Sequence, residues 1–130
     1  MPWVEIFAVF IVSHLVGDFL LQTDVQAMGK RGGLSGNGNS PRGLLSHTVT
    51  YTLAFLPALV WLASDVGVLE AIGTALLIGL PHMLQDDGRL LDAYMRRVKG
   101  VAPTPGGLRI AVDQSWHVLA LFLVALLVGN

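Results

Sequence analysis

The sequence predicts an all-α membrane protein, four transmembrane helices packed as a bundle with a short amphipathic helix at the interface, in a single domain spanning residues 1–130. Three observations predict it. Hydrophobic residues make up 53% of the 130 positions and charged residues only 13%, with a mean hydropathy of +0.64. Four apolar stretches each approach the ~20 residues that a spanning helix needs. All eight Lys and Arg lie in or beside two connections. A soluble domain of this size would need a charged surface, which eight basic and nine acidic residues do not supply. The apolar content excludes disorder. A formal charge of −1 leaves no basic excess for nucleic acid. With no cysteine there is no disulfide frame, thiolate metal site or cysteine nucleophile.

The first span is read over 3–21. It lacks a basic leader and carries His14 and Asp18 where a cleavable signal would be purely apolar. A glycine-rich loop from Gly29 to Pro41 follows; it lacks the strand and GxxxxGK[ST] context of a phosphate cradle and reads as a flexible connector. The second span, 44–62, contains Pro57, which predicts a kink. The third, 69–84, is short and flanked by Glu70 and Pro81. Residues 89–99 read as an interfacial helix, with Leu90, Leu91, Tyr94, Met95 and Val98 on one stripe and Arg89, Asp92, Arg96, Arg97 and Lys99 facing away. A turn with Pro103 and Pro105 leads into the fourth span, 108–128. The side opposite the basic connections carries only Glu5, Asp65 and Glu70. The positive-inside rule therefore predicts a bacterial plasma-membrane protein with both long loops in the cytoplasm and both termini outside, Trp3 and Trp61 falling at the outer boundary.

The chemistry lies in where the polar residues fall. Each span holds one histidine: His14, His47, His82 and His117. Three have an aspartate four residues away (Asp18, Asp86 and Asp113), and His47 has Tyr51 at that spacing. Residues i and i+4 share a helix face, so each pair points one way. At ~1.5 Å per residue, His14 and His117 lie about 11 and 13 Å from the cytoplasmic ends of their spans, so the polar groups converge in one half of the bilayer. An Asp at membrane depth costs ~2.5–3.5 kcal/mol, so such groups are paired, metal-bound or on a water path. His14, Asp18, His47, His82, Asp86, Asp113 and His117 form a ligand set for one or two divalent metals. Mixed nitrogen and oxygen donors favour Zn²⁺ first, with Mn²⁺ or Fe²⁺ as alternatives. Gln22, Tyr51, Asp87 and Gln114 are candidates to orient the ligands, although Asp87, like Asp92, also reads as a surface residue. A metal-free His–Asp network, haem, or a proton path are the competing readings. Haem leaves the aspartates without a role. Spans one and three also share an HxxxD motif before a basic segment, a weak repeat that predicts two hairpins about a pseudo-two-fold axis.

The run His14-x-x-x-Asp18-Phe19-x-x-Gln22-Thr23-Asp24, with Lys30, Leu45-x-His47-x-x-x-Tyr51, His82-x-x-x-Asp86 and Asp113-Gln114-x-x-His117, resembles the domain of unknown function 3307 family, small integral-membrane proteins of bacteria and phages. Arg89 stands where the family's pattern has a lysine, and the glycine-rich loop looks like an insertion. The resemblance implies fold and site but no reaction. A looser likeness is to membrane-bound metal-dependent hydrolases with intramembrane His/Asp motifs, which is analogy alone.

Three functions fit these observations. One is a metal-dependent hydrolase acting on a lipid or lipid-linked phosphate, with Asp18 or Asp86 as proton acceptor and loop arginines drawing an anionic headgroup. The second is a metal or proton transport element. The third is a non-catalytic module whose His/Asp network holds helices together. Membrane lipids are the expected partners, an anionic lipid among them; a homo-oligomer stays open. The sidedness has a direct test: a cysteine replacing Asn130 is expected to react with an impermeant thiol reagent in intact cells, and one replacing Arg97 only after permeabilisation. Labelling in the opposite sense contradicts the positive-inside count.

Overall fold

A computed structural model describes residues 1–35 and 41–129. The 36–40 part of the glycine-rich loop, and Asn130, lie outside them. The protein is helical throughout its regular structure, 79% helix with no strand among the described residues. In chain order the helices are α1 (Trp3–Leu15), α2 (Asp24–Gly29), α3 (Arg42–Ala54), α4 (Leu56–Val66), α5 (Val68–Asp86), α6 (Arg89–Arg97) and α7 (Gly107–Val128). A π-helical segment, Val16–Leu20, extends α1.

Three helical stretches are long and apolar enough to cross a membrane: Trp3–Leu20, Val68–Asp86 and Gly107–Val128. The second predicted span is a pair, α3 and α4, bent by 53°. Pro57 has no N–H to donate, and the chain breaks at Phe55, two residues before it. Counted as one span, the pair makes four. The third span, read over 69–84, runs two residues further than expected. Pro81 sits inside α5, which runs on to Asp86, so His82 and Asp86 share one unbroken helix.

The ends of the molecule differ in character. At one end the Met1 ammonium meets Asp65 at 2.6 Å, which places the N-terminus beside the α4–α5 turn. Gly129 packs so closely on Trp3 that a Cβ there would come within 2.6 Å of its Cα. Both described chain ends therefore lie at this end. Behind them is an apolar core of Ile6, Phe10, Phe55, Leu62, Ile78, Leu121 and Ala125. Large apolar side chains such as Val12, Val60, Ile72 and Leu127 point outward and are mostly exposed, while histidine and aspartate are buried. That inversion is what lipid as solvent selects.

At the other end the structure adds one helix and corrects three expectations. Residues 24–29 form a short helix, α2, whose Thr23 and Gln26 make a reciprocal capping box. The described part of the glycine-rich loop is tied down rather than a free connector: Gly32 N–H donates to the Asp87 carbonyl and Leu34 N–H to the Asp87 carboxylate, each at 2.8 Å. Asp87 is accordingly buried, not at the surface. The α6 helix has the expected buried Leu91 and Met95, but its first turn is not a free polar face. Arg89 pairs with Asp87, and Asp92 with Arg31 and Arg109, pinning α6 to the loop and to α7. Arg96, Arg97 and Lys99 remain exposed.

Candidate metal centre

The polar half of the bundle is assembled by close helix contacts and one irregular turn. Gly17 is needed because Tyr51 lies against it: a Cβ would stand 2.7 Å from the Tyr51 ring and 3.3 Å from its Cα. From Val16 the backbone widens to i→i+5 bonding, with Leu21 N–H donating to the Val16 carbonyl at 2.9 Å. Such π turns shift side chains out of α-helical register and occur often at functional sites. Asp18 sits in this turn, buried, with its carboxylate between α1, α3, α5 and α7.

Four ligand atoms from three segments meet there. His47 Nε2 lies 3.1 Å from Asp18 Oδ1, 2.9 Å from Asp86 Oδ2 and 3.1 Å from His82 Nε2. His82 Nε2 lies 3.6 Å from Asp18 Oδ1 and 3.1 Å from Asp86 Oδ2. All four residues are buried. A tetrahedral ion with ligands at 2.0–2.1 Å has ligand-to-ligand edges of about 3.3 Å. The five edges given above run from 2.9 to 3.6 Å, around that length, so the donor set could hold one divalent ion.

Hydrogen bonding alone satisfies the cluster poorly. If both Nε2 atoms carry protons, two N–H groups face each other at 3.1 Å; if one is bare, its lone pair faces carboxylate oxygens at the same range. A cation at the centre removes both conflicts. Asp86 has one organic cation, Lys30, whose Nζ donates to Oδ2 at 3.0 Å. Asp18 has no Lys or Arg partner among the described residues; its neighbours within ion-pair distance are His14, His47 and His82.

The outer groups orient this centre. Gln114 Oε1 can only accept, so His14 donates from Nε2 to it at 2.9 Å and accepts at Nδ1 from the Tyr51 hydroxyl at 3.0 Å. Gln114 Nε2 in turn donates to Asp18 Oδ2 at 3.3 Å. The structure thus places His14 one layer behind the four-ligand cluster, both its nitrogens occupied. Tyr51 also stacks on the His82 ring, centroids 3.4 Å apart and planes 4° apart. That packing holds His82, whose Nδ1, like that of His47, has no hydrogen-bond partner. Gln22 donates to the Asp18 carbonyl at 3.0 Å, bracing the π turn. Asp87 does not touch the cluster; it braces the loop instead. Asp113 and His117 form a second group with Asp86, their ligand atoms within 4.8 Å of one another.

The weak repeat reappears as paired contacts. Asp18 meets His47 as Asp86 meets His117, at 3.1 and 3.4 Å. His14 and His117 lie 5.6 Å apart by ring centroid, and His82 and His47 5.1 Å. In the sequence Lys30 stands as a topology signal and a motif residue of the family resemblance, and Arg109 as a topology signal. Both line a half-open cavity of about 200 Å³ with Arg31, Asp86 and Asp113. Their partners are 56 and 17 positions away, so no local spacing announces them.

Fold and site together define a helical protein with candidate membrane spans and a buried His/Asp cluster able to hold a metal ion. The chain belongs to the family described as a protein of unknown function, DUF3307, which matches residues 6–130. No curated protein and no solved structure matches it.

The orienting role of Tyr51 gives a graded expectation. Tyr51→Leu removes both the stack and the hydroxyl and should lower metal affinity about 10- to 100-fold, the usual size of an outer-shell loss. Tyr51→Phe keeps the stack and should lose less. Chelator competition on the purified variants measures this; equal affinities in both variants and wild type contradict the role.

Proposed function

We propose that this protein is an intramembrane metal-dependent hydrolase of a lipid or lipid-linked phosphate. It crosses a bacterial plasma membrane four times, with both termini outside the cytoplasm, and Asp18, His47, His82 and Asp86 hold a divalent ion, Zn²⁺ before Mn²⁺ or Fe²⁺. The observation that carries the reading is that one ligand, Asp86, is also a wall of a cation-lined cavity at the basic end. Lys30, Arg31 and Arg109 line it, each paired with an aspartate, so a divalent ion on Asp86 would make it net positive and suited to an anionic headgroup.

A divalent ion bound through Asp86 at the cavity wall would polarise a phosphoryl oxygen and ease deprotonation of water near neutral pH. In the overall reaction water's oxygen bonds to phosphorus, the ester P–O bond breaks, and the leaving oxygen takes up a proton, giving an alcohol and a phosphate. Lys30 and Arg109 bind and orient the headgroup, each steadied by its own aspartate. Of the two carboxylates first expected to accept a proton, Asp86 reaches the cavity as a ligand to the ion, and Asp18 is not among the lining residues. Transport is the weaker reading. An ion leaving toward the termini would have to pass Ile6, Phe10, Phe55, Leu62 and Ala125, which are buried and apolar.

The test uses the full chain in lipid nanodiscs, loaded with Zn²⁺ and given a phosphate-monoester lipid. Wild type is expected to release inorganic phosphate. Lys30→Met should keep its zinc and lose about 10- to 100-fold in release, the worth of a charge-assisted hydrogen bond. Zinc-loaded wild type that releases no phosphate from diacylglycerol phosphate or polyprenyl phosphate contradicts the proposal.

A further inference from the structure

We infer a second divalent-cation site, formed by Asp86 Oδ1, His117 Nε2 and the Asp113 carboxylate, with Asp86 bridging two ions. It rests on the metal reading of the Asp18–His47–His82–Asp86 cluster and extends it. His117 Nδ1 donates to the Asp113 carbonyl at 2.8 Å, so in the neutral imidazole Nε2 carries the lone pair. That lone pair lies 3.4 Å from Asp86 Oδ1. Both atoms are buried, and neither has a hydrogen-bond partner. In that form two acceptors at this distance repel each other, and a proton on Nε2 or a cation lying against both relieves it; a cation also draws in the Asp113 carboxylate.

The first cluster leaves these atoms free. It uses Asp86 Oδ2, which faces His47 and His82, and not Oδ1. One carboxylate therefore offers one oxygen to each position. Asp113 supplies the third ligand: its carboxylate, His117 and Asp86 lie within 4.8 Å of one another. Asp113 and Asp86 also line the cavity that holds Lys30 and Arg109. Three protein ligands beside an accessible space are the arrangement of a metal site with an open coordination position, whereas four buried ligands make a closed one. The two positions thus divide the work. The inner ion is enclosed by the bundle, and the outer ion faces the anionic ligand that the cavity admits. One nitrogen and two carboxylate donors suit Zn²⁺ or Mn²⁺.

Metal stoichiometry tests this without any activity assay. The full chain in nanodiscs is loaded with Zn²⁺ alone, freed of excess metal and quantified by mass spectrometry. Wild type is expected to hold two ions per chain, and His117→Ala and Asp113→Asn one each. One ion in wild type, kept in His117→Ala and lost in His47→Ala, overturns the second site while leaving the inner one standing. No ion at all overturns both. Where a variant does not fold, Mn²⁺-loaded wild type decides: an exchange-coupled pair spectrum is expected, and an isolated six-line spectrum overturns the second site.

Discussion

The structure depends on neutralising two carboxylates inside an apolar bundle. Asp18 and Asp86 are buried among helices whose outward faces are apolar, where an uncompensated charge would cost several kcal/mol. Asp86 has Lys30; among the described residues Asp18 has only imidazoles and an amide. Every irregular feature nearby serves this balance. The π turn aims Asp18, Gly17 lets α3 approach, and the loop that carries Lys30 is anchored to Asp87.

This constraint also divides the bundle along its length. Half of the core, behind the chain ends, is Ile6, Phe10, Phe55, Leu62 and their neighbours, and holds by packing alone. The other half holds by polar geometry, in which each group has few acceptable partners. The Tyr51–His14–Gln114–Asp18 relay shows the difference. Each hydrogen bond in it dictates the tautomer or amide orientation of the next, so the relay has one consistent arrangement. A bundle that merely needed to cross a membrane would have no use for it.

Much of this was legible in the sequence because it is written in local periods. The HxxxD and DxxxH spacings put each pair on one face, and four apolar stretches brought the pairs to one depth. His47, His82, Asp18 and Asp86 do meet. The α2 capping box was equally legible, as Thr23-x-x-Gln26, but passed unread beside so many glycines. What local pattern does not encode is pairing at long range. Lys30 with Asp86, Leu34 with Asp87 and Arg31 with Asp92 join positions more than fifty residues apart. Asp87 therefore looked like surface, and neither the motif nor the charge count gave Lys30 its partner; His14, expected as a ligand, stands behind the four-residue cluster with both nitrogens hydrogen-bonded. The π turn left no trace either: no local motif marks it, and Gly17 within it packs on Tyr51, a residue from another helix.

The central claim is that Asp18, His47, His82 and Asp86 share one divalent ion through two nitrogens and two oxygens. X-ray absorption at the zinc edge of the zinc-loaded chain in nanodiscs addresses it most directly. The predicted spectrum has a first shell of nitrogen and oxygen at about 2.0–2.1 Å, with the outer-shell scattering that imidazole rings produce. A six-coordinate, water-dominated shell with no imidazole signature would contradict the claim.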